Sequence, residues 1–212
     1  MGQYTKKGLL MGYKKNNAER AELDYYATPA VEVENILNEL GYDFTGMTIL
    51  EPCVGGGHMC DGIDSYLKKN HIEPKDKQGA DYKDRGYRGP WNLVYGLDFL
   101  DDDWPIDSAD VIIMNPPYST IEPFLIRSLE IAKKYLIVLC RTQALEGASR
   151  YEKIFKENPP TYIYQYIERI QCWRNGKKPS GSSAQAYCWL VWDMEKAGQN
   201  PELRWLHRSE NY

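Results

Sequence analysis

Asn115, Pro116, Pro117 and Tyr118 form the most specific chemical pattern in the sequence. They directly follow the apolar run 111–114, and two prolines stop a strand and fix the backbone. The side-chain carbonyl of Asn115 and the main-chain carbonyl of Pro116 can therefore converge as two rigid hydrogen-bond acceptors, and Tyr118 supplies a flat face. A turn that only ended a strand would explain the prolines but neither the asparagine nor the tyrosine. The pattern predicts a site that holds a planar amino group.

A glycine-rich turn follows an earlier apolar run, with an acid at the predicted strand end. Glu51 and Pro52 precede Gly55 and Gly57. Glycines let the backbone approach a bound molecule closely, and the acid can hold an amino group or a hydroxyl. The turn is not followed by Lys-Ser/Thr, which excludes a phosphate-binding P-loop.

Two further acids, Asp81 and Asp98, stand at the ends of the next predicted strands. Carboxylates accept hydrogen bonds from ribose hydroxyls and from an exocyclic adenine amine. Because open α/β sheets bind ligands at the carboxyl ends of their strands, we expect both acids, the glycine turn and Asn115 to share one site.

Short apolar stretches alternate with helical patterns, which predicts a parallel sheet with crossover helices on both faces. The first helix is marked at both ends: Thr28 is the predicted N-cap, Pro29 suits the first helical position, and Gly41 suits the C-terminal cap. Helices are predicted over 29–40, 58–69 and 123–132, and strands near 47–50, 77–82, 92–100, 109–115, 135–140, 161–173 and 186–194.

The length of 212 residues with 42% hydrophobic residues predicts one globular domain over 24–212, preceded by a basic arm at 1–23. No apolar run approaches the ~20 residues of a membrane span, and the amino terminus does not resemble a secretory signal, so we expect a cytoplasmic protein without membrane contact. Five scattered cysteines and three histidines favour neither disulfides nor a metal site.

The formal net charge of −4 hides an uneven distribution along the chain. Residues 1–20 carry five Lys/Arg against one Glu, and residues 121–190 carry eleven Lys/Arg against six Glu. Such a split indicates one acidic half that holds something other than a phosphate backbone, and one basic half that faces a polyanion. Solvated surface without a partner is the alternative.

Together these motifs resemble the class I S-adenosylmethionine-dependent amino-methyltransferases, and most of all the small phage-type DNA adenine-N6 methyltransferases. The resemblance covers residues 24 to about 193. It implies a Rossmann-like fold with a mostly parallel seven-stranded sheet, S-adenosylmethionine as cofactor, and 115–118 as the catalytic motif. The positions that it implies for cofactor binding are Tyr26, Thr28, Glu51, Pro52, Gly55, Gly57, Asp81, Asp98 and Phe99.

The implied reaction transfers a methyl group to the exocyclic N6 of adenine in DNA. An adenine amino group is a poor nucleophile because its lone pair is delocalised into the ring, and acceptance of both hydrogens by Asn115 and Pro116 would favour a pyramidal nitrogen. The cofactor supplies an activated methyl group, so Cys53 is assigned no catalytic role. The target base would be flipped out of the duplex and stacked on Tyr118, with Phe124 as a second wall.

The chain departs from the family pattern because no sizeable target-recognition domain follows the catalytic motif. A short basic loop at about 169–183 is the candidate for DNA contact, since it is rich in Ser and Gly and lies between two predicted strands. Its predicted phosphate-binding residues are Arg169, Arg174, Lys177 and Lys178.

Three alternatives remain open on the sequence. A glutamine side-chain amide presents a similar planar amino group, so a protein glutamine methyltransferase of the release-factor type is the runner-up, and RNA adenine-N6 methylation is another. Aromatic and basic residues interleave over 164–178, which favours bases and phosphates over a protein substrate. A non-catalytic cofactor-binding module is the third, and the intact motif at 115–118 argues against it.

Overall fold

The computed structural model describes residues 25–101, 109–178, 180, 184–196, 200–210 and 212. The predicted basic arm at 1–23 lies outside the described residues, as do residues 179 and 181–183 of the basic loop. Within the described part of the chain, no helix has the length and apolar character needed to cross a membrane.

Eight strands form one central sheet, and two more strands form a small separate ribbon. In chain order the strands are β1 (Tyr26–Ala27), β2 (Thr48–Glu51), β3 (Asp76–Asp81), β4 (Asn92–Tyr95), β5 (Ala109–Met114), β6 (Ala132–Arg141), β7 (Tyr162–Tyr166), β8 (Trp173–Arg174), β9 (Tyr187–Asp193) and β10 (Glu202–Leu206). The central order is β10-β7-β9-β6-β5-β2-β3-β4, and β9 alone among these strands runs antiparallel to its neighbours. The predicted mostly parallel α/β sheet is confirmed.

Helices cover both faces of this sheet, as predicted. They are α1 (Ala30–Leu40), α2 (His58–Lys69) and α3 (Ile121–Ile131). Because strand side chains alternate between faces, Ile49 and Val111 pack with α1 and α2 in one buried cluster, whereas Leu50 and Ile112 pack with α3 in the other. A short helical stretch follows β6, as an α-helical turn (Ala148–Arg150) that continues into a π-helical turn (Tyr151–Phe155).

The first helix ends as the sequence predicts but begins differently. Gly41 adopts the left-handed conformation at φ 63° and closes the helix by donating its N–H to the carbonyl of Leu37. Pro29, however, is the N-cap residue, and no side chain caps the helix. The predicted cap, Thr28, was wrong because its hydroxyl is engaged by the side-chain amide of Asn115 instead.

Two predictions about the strands were also wrong. The sheet has eight strands rather than seven, because β10 adds to the edge of β7 in parallel register. The run 161–173, predicted as one strand, divides into β7 and the two-residue β8. β8 leaves the sheet because it pairs antiparallel with β1, with Tyr26 opposite Arg174 and Ala27 opposite Trp173.

Helices α1 and α2 pack closely at Gly62 of α2. A Cβ atom built on Gly62 would lie 2.5 Å from the carbonyl oxygen of Ala30 and 2.5 Å from the Cβ of Val33. We expect Gly62→Ala to lower the free energy of unfolding by about 1–3 kcal/mol, because overpacking forces the helices apart. Urea unfolding measures this, with the exposed Lys68→Ala of the same helix as control. Equal stability of Gly62→Ala and wild type would show that the interface yields easily.

Candidate functional site

A cavity opens where the parallel strands end, at their carboxyl edge. Its empty space is about 930 Å³, a volume that includes open solvent at the mouth. We call it the strand-end cavity. Ten of the predicted site residues line it: Tyr26, Thr28, Glu51, Pro52, Asp81, Asp98, Phe99, Asn115, Pro117 and Phe124. The acids and Asn115 expected at one site therefore share this cavity, whereas Gly55, Gly57 and Pro116 are not among its lining residues.

Asn115 follows β5 and is held in one orientation by the segment before α1. Its Nδ2 donates to the main-chain carbonyl of Tyr26 at 2.8 Å and to the hydroxyl of Thr28 at 3.0 Å. A main-chain carbonyl can only accept, so the nitrogen of the amide must face Tyr26. Asn115 Oδ1 is left buried without a partner in the wall of the strand-end cavity. The side chain thus offers an unused acceptor at the predicted place.

Tyr118 packs in an aromatic group rather than in the wall of the strand-end cavity. Its ring lies 5.4 Å from that of Tyr26 and 6.0 Å from that of Tyr187, and the guanidinium of Arg141 lies 4.3 Å from its centroid. Burial holds the pKa of the Tyr118 phenol well above its usual range, so the ring stays neutral. Tyr26 lines the strand-end cavity and also contacts Tyr118, so it stands between the two.

Glu51 places a buried carboxylate at the end of β2. One of its oxygens accepts the N–H of Cys53 at 2.7 Å, and Oε2 has no partner. Burial raises the pKa of Glu51 well above its ordinary value, and the nearby charge of Asp81 raises it further. An unpaired buried carboxylate of this kind is poised to receive a cationic or hydrogen-bonding group.

The glycine-rich turn needs its glycines for two reasons. Gly55 and Gly57 have φ values of 56° and 87°, a region that side chains disfavour. A Cβ on Gly55 would lie 2.3 Å from the ring of Tyr25, and one on Gly57 would lie 1.9 Å from the ring of Tyr87. The close approach expected of a bound molecule is thus made, at both positions, by aromatic side chains, and Tyr87 was not predicted from the sequence.

The two acids beyond the glycine turn fix the loops around the strand-end cavity. Asp81 accepts the main-chain N–H groups of Gly55 and Lys83, both at 2.8 Å, and burial raises its pKa. Asp98 accepts the N–H of Leu100 at 2.9 Å. Both acids line the strand-end cavity, and a carboxylate can accept about four hydrogen bonds in all.

Phe124 lies beside Phe99 rather than beside Tyr118. The two phenylalanine rings are 5.2 Å apart with 32° between their planes, and both belong to the buried cluster under α3. Tyr118 packs against the cluster on the opposite face of the sheet. The structure therefore brings Phe124 to the Asp98 end of the strand-end cavity.

The described part of the basic loop is tied to the mouth of the strand-end cavity. Asn175 and Gly176 form a tight turn after β8 with φ values of 53° and 70°, and the N–H of Asn175 donates to the carbonyl of Tyr25 at 2.9 Å. The ring centroids of Trp173 and His58 lie 5.4 Å apart, with the two rings in a T-shaped arrangement. Tyr25 and His58 both line the cavity, so the loop begins at its rim.

The four predicted basic residues are spread over this region. Arg174 lies in β8, Lys177 follows the turn, and the amine of Lys178 lies 5.9 Å from the ring of Trp173. Arg169 donates to the carbonyl of Ala184 at 3.4 Å. Throughout the described ranges, no group of three His, Cys, Asp or Glu residues is arranged to hold a metal ion.

Glu51 generates a prediction about pH. A carboxyl whose pKa is raised on folding binds its proton more tightly in the native state, so its contribution to stability is present below 4.5 and is lost as pH rises above that value. We expect Glu51→Gln to be more stable than wild type at pH 8 and to match it near pH 4, because the neutral amide avoids a buried anion. Urea unfolding across pH measures the difference, with the exposed Glu39→Gln as control. A Glu51→Gln protein that is less stable than wild type at pH 8 would contradict the assignment.

Comparison with known proteins finds similar folds among solved structures, all at low sequence identity. No protein-family model matches the chain, and no curated protein matches it. A Listeria monocytogenes protein proposed to be a class I S-adenosylmethionine-dependent methyltransferase is 14% identical, with a TM-score of 0.60, over 97% of this chain and 72% of its own length. A Pyrococcus horikoshii protein proposed to be an RNA methyltransferase is 18% identical, with a TM-score of 0.56, over 89% of this chain and 97% of its own.

A third similar structure is that of a subunit of a restriction-modification system. The methyltransferase subunit of a type I restriction-modification system from Streptococcus thermophilus is 14% identical, with a TM-score of 0.61, over 89% of this chain. The match covers 48% of that subunit, so the chain spans about half of its length. At these identities the likeness concerns architecture alone. The chain has the Rossmann-like fold of the class I methyltransferases.

Proposed function

We propose that the strand-end cavity binds S-adenosylmethionine. Two features support the fit: the unpaired buried Oε2 of Glu51 suits the amino group of the methionine part, and the Phe99 and Phe124 rings beside Asp98 suit an adenine with its exocyclic amine. Asp81 lies between them in the sheet order and suits the ribose hydroxyls. The remaining residues that we assign to this cofactor are Tyr26, Thr28, Pro52, Gly55 and Gly57.

The reaction that we propose is methyl transfer to a planar amino group, and the anchored Asn115 is the observation that carries it. When bound, the cofactor supplies a methyl group on a positively charged sulfur. Asn115 Oδ1 has no partner and its amide cannot turn away, because Tyr26 and Thr28 hold Nδ2. It accepts one N–H of the amino group and the carbonyl of Pro116 accepts the other, which frees the nitrogen lone pair for attack.

Two residues beside Asn115 complete the proposed site. Pro117 fixes the backbone after the acceptors, and Tyr118 offers its ring to a flat substrate. The chain supplies positioning and hydrogen bonds and needs no proton acceptor before attack, since the attacking nitrogen is neutral. The C–N bond would form as the bond between the methyl carbon and sulfur breaks, S-adenosylhomocysteine would leave, and the methylated nitrogen would then release one proton to water. The anchored acceptor favours an enzyme over a module that only binds the cofactor.

Adenine N6 in DNA is the substrate that we propose. The basic loop begins at the rim of the strand-end cavity, where its charges can contact phosphates around a target base. An adenine inside a duplex cannot reach Asn115, so the base is flipped out and stacked on Tyr118. The structural similarity to a restriction-modification methyltransferase subunit is consistent with DNA as substrate. The contact of Phe124 with Phe99 leads us to assign Phe124 to the cofactor instead of the target base.

RNA adenine is the second candidate, favoured by the structural similarity to the Pyrococcus protein proposed to be an RNA methyltransferase. A glutamine side chain in a protein is the third, because it carries the same planar amino group. Incubation of the purified protein with S-adenosylmethionine and each substrate class separates them. N6-methyladenine in DNA supports the proposal, and methylation of RNA or of glutamine alone would replace it.

Asn115→Ala tests the catalytic role. We expect N6-methyladenine formation to fall by ~10²–10³, the cost seen when one transition-state hydrogen-bond partner is removed. Binding of S-adenosylmethionine should change little, because the lost acceptor faces the substrate. Mass spectrometry of digested DNA measures the product and calorimetry measures the cofactor, with the exposed Asn38→Ala as control. Turnover near the wild-type rate would refute the role.

Paired substitution of Lys177 and Lys178 by Ala tests the basic loop. We expect weaker DNA binding and a shallower dependence on salt, with the slope reduced by up to about two, because two phosphate contacts are lost. Cofactor affinity should stay unchanged. Lys133 and Lys134 supply a matched control, since they are adjacent, exposed and at the start of β6, the edge opposite the strand-end cavity. Equal effects of the two double variants would show that the loop has no special role.

A further inference from the structure

Arg141 is the last residue of β6 and lies next to the catalytic motif. β5 and β6 run parallel, so their carboxyl ends meet at one edge, with Asn115 following one strand and Arg141 ending the other. The Arg141 guanidinium carbon lies 4.3 Å from the centroid of Tyr118 and 5.6 Å from that of Tyr26. The cation therefore lies against Tyr118, on which we propose that the target base stacks, and against Tyr26, whose carbonyl holds Asn115.

Arg141 carries a buried donor that has no partner. Its Nε is buried and makes no hydrogen bond, and its guanidinium contacts the rings of Tyr26 and Tyr118. A guanidinium carries five N–H donors and keeps its charge at all working pH values. A buried donor without a partner is costly, so such groups are most often completed by water or a ligand.

Two other arginines of the chain show that stacking on tyrosine does not itself leave the donors free. Arg204 lies 4.0 Å from the ring of Tyr162, and its Nε donates to Glu202 at 2.8 Å. Arg88 lies 5.5 Å from the ring of Tyr95 and is paired with Asp84. Each of these cations has a carboxylate partner, whereas Arg141 forms no ion pair with a carboxylate of the described residues.

We propose that Arg141 binds the phosphate group of the target nucleotide. The inference rests on the proposed function and specifies its substrate as a nucleotide held through its backbone anion. The planar fork of a guanidinium matches two phosphate oxygens, and Tyr118 and Tyr26 keep its charge at the catalytic edge. A base that stacks on Tyr118 brings the phosphate of its own nucleotide close to this cation. That phosphate supplies a partner for the buried Nε of Arg141.

A substitution cycle between protein and DNA tests this contact. The DNA carries the sequence in which wild-type protein methylates adenine, with one linkage next to that adenosine replaced by an uncharged methylphosphonate, on either side in turn. Binding is measured with S-adenosylhomocysteine present. We expect wild type to bind one of the neutral-linkage duplexes roughly tenfold or more weakly, as for loss of a charge-assisted hydrogen bond. Arg141→Met should bind that duplex and the native duplex equally, because the two changes remove the same contact.

Controls keep the result specific. Arg204→Met removes another tyrosine-stacked arginine and should retain the full discrimination shown by wild type. Arg141→Gln is a second neutral variant that keeps a polar side chain, in case Met disturbs the packing, and unchanged cofactor affinity confirms that either variant is folded. DNA methylation by wild type, together with equal discrimination in wild type and both Arg141 variants, would overturn this inference alone. Absence of DNA methylation by wild type would overturn the proposed function and this inference together.

Discussion

The side-chain amide of Asn115, fixed by Tyr26 and Thr28, is the interaction on which the site depends. An asparagine amide has a donor end and an acceptor end, and only the contacts of the donor end decide which way it faces. Here both Nδ2 partners come from the segment before α1, far from Asn115 in sequence. The acceptor is therefore aimed before any substrate arrives. Preorganisation of this kind is what makes a polar group effective at the moment of reaction.

The segment at 25–29 connects the three parts of the site. The hydroxyl of Tyr25 accepts the N–H of Gly56 at 2.8 Å in the glycine turn, and its carbonyl accepts the N–H of Asn175 at 2.9 Å in the basic loop. Tyr26 holds Asn115 and packs on Tyr118. This short extended segment therefore contacts the glycine turn, the proposed catalytic motif and the basic loop, and it fixes their positions relative to one another. A change in the position of this segment would alter all three at once.

The sequence predicted those features that follow from local chemistry. Periodic apolar residues predicted the first helix, and Gly41 predicted where it ends. The alternation of strand and helix patterns predicted the parallel sheet. The eighth strand, β10 (Glu202–Leu206), was not predicted. It is an edge strand with mostly exposed side chains, so its sequence lacks a clear alternation of apolar and polar residues. The pairing of β1 with β8 could not be found either, because two-residue strands carry no periodic signal. Thr28 was assigned to the wrong task since a hydroxyl that fits a helix cap also fits an amide from elsewhere.

Arg141 and Glu51 carry opposite charges, and each has a buried polar atom without a hydrogen-bond partner. Each is a buried or half-buried ionisable side chain with a polar atom that finds no partner among the described residues. Sequence patterns did not single out Arg141, because one arginine at a strand end has no distinguishing neighbours, and its meaning comes only from the rings of Tyr26 and Tyr118 beside it. Folding alone gains nothing from leaving such groups unpaired, since each desolvated donor or acceptor costs free energy. Glu51 and Arg141 lie at the ends of the two strands that flank β5, and their charges suit the two molecules that we propose to meet at Asn115: a cofactor with a positively charged group on the Glu51 side and a nucleotide phosphate on the Arg141 side.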